Sequence, residues 1–226
     1  MDVESSPEEM GVFFDTRAAG YEAHMAGKPE SRRSSQLLEA EVPATSRFTR
    51  ILDLGCGMGS EIEHILKRQP NAQITCVDLS KGMLDLLRKK YSKQLKQLTI
   101  VQASYFDYDF GNELFDAAVA CMTMHHWLYP DKQSLYRRIH MALKAGGYFI
   151  DSDYMVSEAM ERSLLSDYFE LQKSGKLSAG RHYHIDIPFS VKTETQVLTE
   201  AGFSKVSLIE EGHSATWNTA MIVAAK

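Results

Sequence analysis

The stretch that decides the fold of this chain is Ile51-Leu52-Asp53-Leu54-Gly55-Cys56-Gly57-Met58-Gly59. Its first four residues are a short, largely apolar run that predicts a buried strand, and the amphipathic residues from Gly59 to Arg68 predict a helix. The glycines lie between the two, where the backbone turns sharply and no side chain blocks the approach of a ligand. The stretch therefore predicts a strand, a turn and a helix around a nucleotide-like ligand.

The same alternation of apolar runs and helix-length amphipathic segments continues towards the C-terminus. Six more strands are predicted, at Ile74–Val77, Leu98–Val101, Phe115–Cys121, Tyr148–Ser152, Val206–Ile209 and Ala215–Ala225. Further helices are predicted at Lys81–Leu95, at Lys132–Leu143, closed by Gly146-Gly147, and at Thr195–Ala201. We predict an α/β fold with a doubly wound, Rossmann-like sheet of seven strands, the last antiparallel, and a ligand site beyond strands one and four.

Length and composition predict one folded domain, since 44% hydrophobic and 24% charged residues among 226 are ordinary for a globular protein. Within it we expect a flexible start, a helical cap, a cofactor-binding core, an insertion that covers the substrate, and the C-terminal part of the sheet. These segments span residues 1–10, 11–45, 50–152, 153–192 and 193–226. An insertion of this length after strand five is typical of a functional segment.

Net charge and cysteine spacing limit the classes of partner that we expect for this chain. A net charge of -5 argues against a nucleic-acid polymer, and no apolar stretch approaches the length of about 20 residues that crosses a bilayer. The three cysteines have no CxxC spacing, which disfavours a cysteine zinc site and favours reduced thiols in the cytoplasm. We expect no metal ion and no membrane, and a monomer or homodimer.

Asp78 ends the predicted second strand, about twenty residues beyond the glycine turn. A carboxylate at this distance can accept hydrogen bonds from the ribose hydroxyls of an adenosine. The alternative role, an N-cap for the following helix, can be filled by Ser80. Asp78 is therefore a candidate ligand-binding residue.

Together these residues resemble class I S-adenosylmethionine-dependent methyltransferases, in the branch with a general methyltransferase domain that is related to ubiquinone-biosynthesis and tRNA-wobble-carboxymethyl enzymes. The resemblance runs from about Phe13 to the C-terminus. It is carried by Phe14-Asp15-x5-Tyr21, Leu52–Gly59, Val77-Asp78-Leu79-Ser80-x2-Met83-Leu84, Phe115-Asp116 with His125-His126, and Leu143-Lys144-Ala145-Gly146-Gly147.

The resemblance implies S-adenosylmethionine as the cofactor and assigns residues to its parts. Asp53 and the turn that follows it are expected to contact the cofactor, with the turn lining the methionine moiety, and Tyr21 would close the site from the helical cap. The third strand leads to Gln102-Ala103-Ser104-Tyr105, where Ser104 stands in the place of the family's adenine-binding acid. The remaining expected contacts are Gly55, Cys56, Gly57, Asp78, Leu79, Met83, Ala103, Tyr105, Cys121 and Met122.

His125 and His126 follow the fourth strand and are the catalytic candidates. Because histidine titrates near neutral pH, either ring could accept the proton of an oxygen or nitrogen nucleophile. A histidine that is only hydrogen-bonded at a helix start is the structural alternative. The insertion also ends in His182, His184 and Asp186, for which substrate binding or exposure is favoured over a metal site.

Three functions fit these residues. The first is transfer of a methyl group from S-adenosylmethionine to an O, N or C atom of a small molecule. The second is a nicotinamide-dependent oxidoreductase, which the early third glycine, at 59, disfavours because that fingerprint is Gly-x-Gly-x-x-Gly. The third is a protein that binds S-adenosylmethionine without catalysis.

Overall fold

The computed structural model describes residues 7–26, 29–212 and 218–226. One sheet in the order β3-β2-β1-β4-β5-β7-β6 holds all seven strands, of which β1 to β5 are mutually parallel. Strand β7 pairs antiparallel with both β5 and β6, which confirms the predicted Rossmann-like sheet. The strands are β1 Thr49–Leu54, β2 Ala72–Asp78, β3 Leu98–Gln102, β4 Phe115–Cys121, β5 Leu143–Met155, β6 Lys205–Gly212 and β7 Asn218–Ala225.

Helices cover both faces of the sheet. They are α1 Met10–Ala26, α2 Pro29–Glu41, α3 Ile62–Arg68, α4 Lys81–Lys90, α5 Tyr129–Ala142, α6 Glu158–Lys173 and α7 Val191–Glu200. Successive side chains of β1 point to opposite faces of the sheet, so they belong to two different apolar clusters. Ile51 joins the cluster under α2, α3 and α4, and Leu52 and Leu54 join the cluster under α5 and α7. The sheet is therefore buried on both faces, as the apolar strands predicted.

Several predicted boundaries were wrong. Helix α3 begins at Ile62 because the glycine turn continues to Glu61, and α4 ends at Lys90, before a short 3₁₀ turn at Leu95–Gln97. Helix α7 begins at Val191, where the Ser190 hydroxyl caps it by accepting the Thr193 N–H. Strand β6 is longer than predicted, and residues 215–217 of the last predicted strand lie outside the described residues.

The prediction that Gly146-Gly147 closes a helix was also wrong. Helix α5 ends at Ala142, and Leu143 already pairs with Phe115 as the first residue of β5. The register then shifts, so that Ala117 pairs with Tyr148, and the extra residues of β5 form an irregularity in which Gly146 has φ 75°. A left-handed glycine fits a bulge as well as a helix end, which is why local sequence misassigned it.

The residues after β5 approach the N-terminal segment. The His184 N–H donates to the Glu8 carbonyl oxygen, and the Met10 N–H donates to the His182 carbonyl oxygen, each over 2.9 Å. Tyr183 forms an isolated bridge with Glu9. Helix α1 also contacts α4. The N-terminal helix and the segment 182–186 therefore lie together over the carboxyl ends of β1 and β4.

No helix of the described residues is long and apolar enough to cross a membrane.

Candidate active site

The glycine turn and the end of β2 are joined by a carboxylate. Asp78 Oδ2 accepts the Gly57 N–H over 2.8 Å, and Asp78 Oδ1 accepts the Ser80 N–H over 2.8 Å. Gly55 has φ 65°, and a Cβ there would lie 2.4 Å from Thr123 Oγ1. Gly57 has φ 50°, but a Cβ there would meet no atom within 4 Å. A Cβ at Gly57 would therefore point into open space beside the turn, whereas one at Gly55 would collide with Thr123.

A cleft runs along this turn at the carboxyl ends of β1, β2 and β4. The structure brings most of the predicted cofactor residues to its wall, namely Tyr21, Gly55, Cys56, Gly57, Asp78, Met83, Cys121 and Met122. Asp53 is the exception, since it lies beneath the cleft and is only 1% exposed. The period of two along β1 directs this side chain under the turn rather than into the opening.

Buried carboxylates make the cleft acidic. Burial raises the pKa of Asp53 well above its usual range, and the neighbouring Glu61 adds to the shift. Burial also raises the pKa of Glu61 to about 7, against the opposing effects of its backbone hydrogen bond and Lys90. Among the described residues, Asp53 Oδ2 and Glu61 Oε2 have no hydrogen-bond partner. A positively charged ligand in the cleft would favour the ionised form of Glu61, which lines it.

The predicted adenine contacts lie together in a second recess that adjoins the cleft at Gly55 and Asp78. Leu79, Ala103, Ser104 and Tyr105 line this recess. The Tyr105 hydroxyl accepts the Trp127 Nε1–H over 2.5 Å and lies 3.2 Å from Thr123 Oγ1. Its ring is therefore fixed, and Ser104 is the smaller side chain at the position of the expected acid.

A larger cavity of about 700 Å³ opens on the other side of Met122. Phe14, Tyr21 and Met122 line both this cavity and the cleft. Met122 has φ 55°, a left-handed conformation that is rare for a side chain of this kind and that clusters at functional positions. Its N–H donates to the Ser152 carbonyl oxygen over 2.8 Å, which holds the strained residue where the two spaces meet.

Asp153, at the end of β5, organises the turn that carries the two predicted catalytic histidines. Its Oδ2 accepts the backbone N–H groups of Thr123, Met124 and His125 over 3.1, 2.5 and 3.0 Å. Its Oδ1 lies 2.5 Å from His125 Nδ1. Because a carboxylate can only accept these bonds, Nδ1 of His125 carries a proton and its Nε2 faces away from Asp153.

The two histidines differ in charge. Burial alone would lower the pKa of His125, but the charge and hydrogen bond of Asp153, with a contribution from Asp186, raise it to about 9. Burial and the neighbouring His125 lower the pKa of His126. Burial and His126 also lower the pKa of His184, to about 4. At neutral pH His125 is therefore cationic, and His126 and His184 are neutral.

Asp186 completes the group. Its Oδ1 lies 3.5 Å from His125 Nε2 and 3.3 Å from His126 Nδ1, but it is not aligned for a hydrogen bond with either ring. Both histidines, His184 and Asp186 line the large cavity, and His126 also lines the recess, where His182 stacks on Phe106. His182 is thus separated from the other members of the predicted His-x-His-x-Asp pattern.

Sequence reasoning missed Glu61 and Asp153 as site residues. Glu61 lines the cleft as the last residue before α3, and Asp153 supports the histidine turn from β5. Asp153 carried a usable signal, because polar residues at the carboxyl end of a buried parallel strand lie at the ligand-binding edge of such a sheet. Glu61 carried none, since a single acid near a helix start commonly stabilises the helix dipole.

Comparison with known proteins agrees with this geometry. Residues 51–147 match the family model described as a methyltransferase domain. The chain belongs to the class I S-adenosylmethionine-dependent methyltransferases. Among curated relatives, it is similar to the carboxy-S-adenosyl-L-methionine synthase of Stutzerimonas stutzeri, at 30% identity over 70% of each chain. It is also similar to the enzyme of that name from Campylobacter fetus, at 26% identity over 71% of each chain.

Solved structures show the same fold at low identity. A putative O-methyltransferase from Nostoc punctiforme superposes with a TM-score of 0.70 at 20% identity, over 100% of this chain and 63% of the other. The 1,6-didemethyltoxoflavin-N1-methyltransferase of Burkholderia thailandensis superposes with a TM-score of 0.66 at 18% identity, over 96% and 87% of the two chains.

The family makes S-adenosylmethionine the cofactor, and the cleft fits it. The open space beside Gly57 and the unpartnered Glu61 oxygen suit a ligand that carries an ammonium and a sulfonium charge. The early third glycine had disfavoured a nicotinamide enzyme, and the family match gives that alternative no support.

Proposed function

We propose that this protein transfers the methyl group of S-adenosylmethionine to a small molecule bound in the 700 Å³ cavity. The observation that carries the proposal is the junction at Met122, where the cofactor cleft opens into a cavity that holds His125 and His126. Tyr21 and Phe14, from the N-terminal helix, close the same junction. An acceptor in the cavity would therefore meet the cleft beside two polar rings.

The cofactor supplies an activated methyl group, so the chain has to provide alignment and an exit for a proton. Glu61 and Asp78 hold the cationic and ribose parts in the cleft, and Met122 separates them from the acceptor. The acceptor's lone pair forms the new bond to the methyl carbon, and the carbon–sulfur electron pair stays on sulfur. The acceptor's proton passes to His126, whose ring is neutral, because the neighbouring His125 is already cationic.

The cavity walls favour a compact acceptor with a flat, partly apolar ring and an ionisable oxygen or nitrogen. Phe13 and Phe14 supply aromatic edges, and the Phe13 ring stacks on His184 with centroids 3.4 Å apart. Tyr154 packs edge-on against His125, with centroids 4.9 Å apart. Rings bind such walls by offset and edge contacts, and the histidines supply polar contacts.

Incubation with isotopically methyl-labelled S-adenosylmethionine and a fractionated metabolite extract tests the proposal. We expect S-adenosylhomocysteine and one labelled small molecule to form together. Formation of the product should fall sharply in the Asp78→Ala variant when the cofactor concentration lies below that variant's weakened Kd. Formation of neither product across broad extracts, with cofactor binding intact, would mean that the chain binds S-adenosylmethionine without transferring its methyl group.

Two curated relatives are named carboxy-S-adenosyl-L-methionine synthase, so the alternative outcome is that the cofactor itself gains a carboxyl group. Mass spectrometry of the recovered cofactor distinguishes loss of a methyl group from gain of a carboxyl group. We expect loss of the methyl group. An arginine is the usual partner for a carboxylate, and the only arginine on the cavity wall formed by described residues, Arg17, already pairs with Glu8 over 2.8 Å. A carboxylated cofactor without S-adenosylhomocysteine would contradict the proposal.

We also propose that the protein acts as a monomer or homodimer in the cytoplasm, on a metabolite rather than a nucleic-acid polymer. All three cysteines are free, which supports a reducing compartment. The net charge of -5 supports a small acceptor. Light scattering after gel filtration measures the oligomeric state, and a tetramer or larger assembly would contradict it.

A further inference from the structure

We propose that His125, His126 and Asp186 bind a divalent transition-metal ion, with Zn²⁺ as the ion that fits their spacing. The three residues offer one ligand atom each within 4.8 Å of one another. They come from two separate segments, the turn after β4 and the stretch before Pro188. Two imidazoles and one carboxylate form a common ligand set for catalytic zinc and for non-haem iron.

Two of the three distances between ligand atoms match a tetrahedral ion, and the third, between the two imidazole nitrogens, is within 4.8 Å. Asp186 Oδ1 lies 3.5 Å from His125 Nε2 and 3.3 Å from His126 Nδ1. A tetrahedral Zn²⁺ with bonds of about 2.0–2.1 Å holds its ligand atoms about 3.3–3.4 Å apart. The same Oδ1 atom is buried and has no hydrogen-bond partner among the described residues. A metal ion would therefore bind an oxygen that accepts no hydrogen bond from the described residues.

Asp153 provides the support that such a site requires. It lies 2.5 Å from His125 Nδ1, which fixes a proton there, so Nε2 can coordinate once the cationic ring gives up its second proton. A ligating histidine almost always donates its other N–H to a carboxylate, a carbonyl or water in this way. His126 Nδ1 also lies 3.2 Å from the Ile185 carbonyl oxygen, so coordination through Nδ1 replaces this contact and moves the neutral ring's single proton to Nε2.

All three ligands line the 700 Å³ cavity, so the ion would be accessible to a molecule bound there. Its role in methyl transfer, to bind an acceptor oxygen or nitrogen and favour loss of its proton, rests on the proposed function. The metal site itself does not, because it can be measured without an acceptor.

Tag-free protein, stripped with a chelator and reloaded with Zn²⁺, tests the site by elemental analysis after exhaustive dialysis. We expect one zinc ion per chain in the wild type and less than about a tenth of that in Asp186→Asn and His126→Gln. Co²⁺ loading should give the intense visible absorption of a tetrahedral ion in the wild type and not in these two variants. His24→Ala, which removes another imidazole from the same cavity wall, should retain full zinc content.

Equal zinc content in Asp186→Asn and the wild type, or none in the wild type, would overturn the inference. Binding of S-adenosylhomocysteine is measured on the same samples, and retained binding shows that a variant is folded. Loss of zinc without loss of this binding supports the site. Absence of zinc with methyl transfer intact would refute the metal site and leave the proposed function standing.

Discussion

Asp78 Oδ2 accepts a hydrogen bond of 2.8 Å from the Gly57 N–H, so the acid at the end of β2 holds the glycine turn at the end of β1. This one carboxylate therefore has two roles: it shapes the turn, and it faces the cleft where the cofactor's ribose is proposed to bind. Burial raises its pKa, while hydrogen bonds from the Ser80 and Gly57 N–H groups oppose the shift.

Replacement of Asp78 should weaken cofactor binding. Asp78→Ala removes hydrogen bonds of a charged group, and we expect a loss of roughly 1.5–3 kcal/mol in the binding free energy of S-adenosylmethionine. Asp78→Asn keeps an acceptor for the Gly57 N–H and should lose less. Titration calorimetry measures both, with the exposed Asp85→Ala as the control. Unchanged affinity in Asp78→Ala would remove this residue from the cofactor site.

Cofactor affinity should depend on pH through Glu61, whose pKa burial raises to about 7. A cationic ligand prefers the carboxylate, so affinity should rise as the pH increases from about 6 to about 8, one unit on either side of that pKa. Glu61→Gln should abolish the dependence, and the exposed Glu63→Gln on the same helix should retain it. Equal pH profiles for wild type and Glu61→Gln would contradict this.

The Glu61 carboxyl group should also make the cofactor-free protein less stable at higher pH. The pKa of Glu61 is raised on folding, so its contribution to the free energy of unfolding is complete below about 4.5 and is lost as the pH rises through about 7. Thermal unfolding of the free protein should show this loss, and Glu61→Gln should reduce it. A pH profile that is the same in both proteins would show that Glu61 does not cause it.

The two glycines of the turn should differ in their tolerance of alanine. Gly57→Ala meets no atom within 4 Å and should cost about 1–2 kcal/mol, from left-handed backbone strain alone. Gly55→Ala places its Cβ 2.4 Å from Thr123 Oγ1 and should cost roughly 1–3 kcal/mol more. Denaturant unfolding gives both values. Although Gly57→Ala costs less stability than Gly55→Ala, it should reduce cofactor affinity, because its methyl group enters the cleft.

Replacement of His126 by glutamine should lower turnover and leave cofactor affinity unchanged. Removal of a group that handles the acceptor's proton typically lowers kcat by about 10²-fold or more. His140→Gln, on the far side of α5 against Phe203, is the matched control and should keep full turnover. Rates with the labelled acceptor and calorimetry with S-adenosylhomocysteine separate the two effects. Full turnover in His126→Gln would leave its ring with a structural role only.

Local sequence carried most of the fold because the decisive signals are short. The apolar run at Ile51–Leu54 predicted β1, and the spacing of Asp78 from the glycine turn placed it at the same edge of the sheet. The errors came where one local signal fits two structures. Gly146 adopts the left-handed conformation that the sequence indicated, but in a strand irregularity instead of a helix end.

The candidate site was predictable only in part. Cleft residues such as Cys56 and Met122 follow directly from the strand ends that carry them, and the structure brings them together. Asp53 lies beneath the cleft, because alternation along β1 buries it. Glu61 and Asp153 were missed, since their importance depends on burial and on partners from other elements.

The sequence by itself determined the strand–turn–helix unit, the presence of seven strands in alternation with helices, and the acid at the end of β2. Each of these depends on periodicity or on a glycine conformation within a few residues. Only the tertiary structure brought His125, Asp153 and Asp186 together, over separations of 28 residues and more. Their protonation and their capacity to hold a metal ion depend on burial and mutual distance, which packing alone decides.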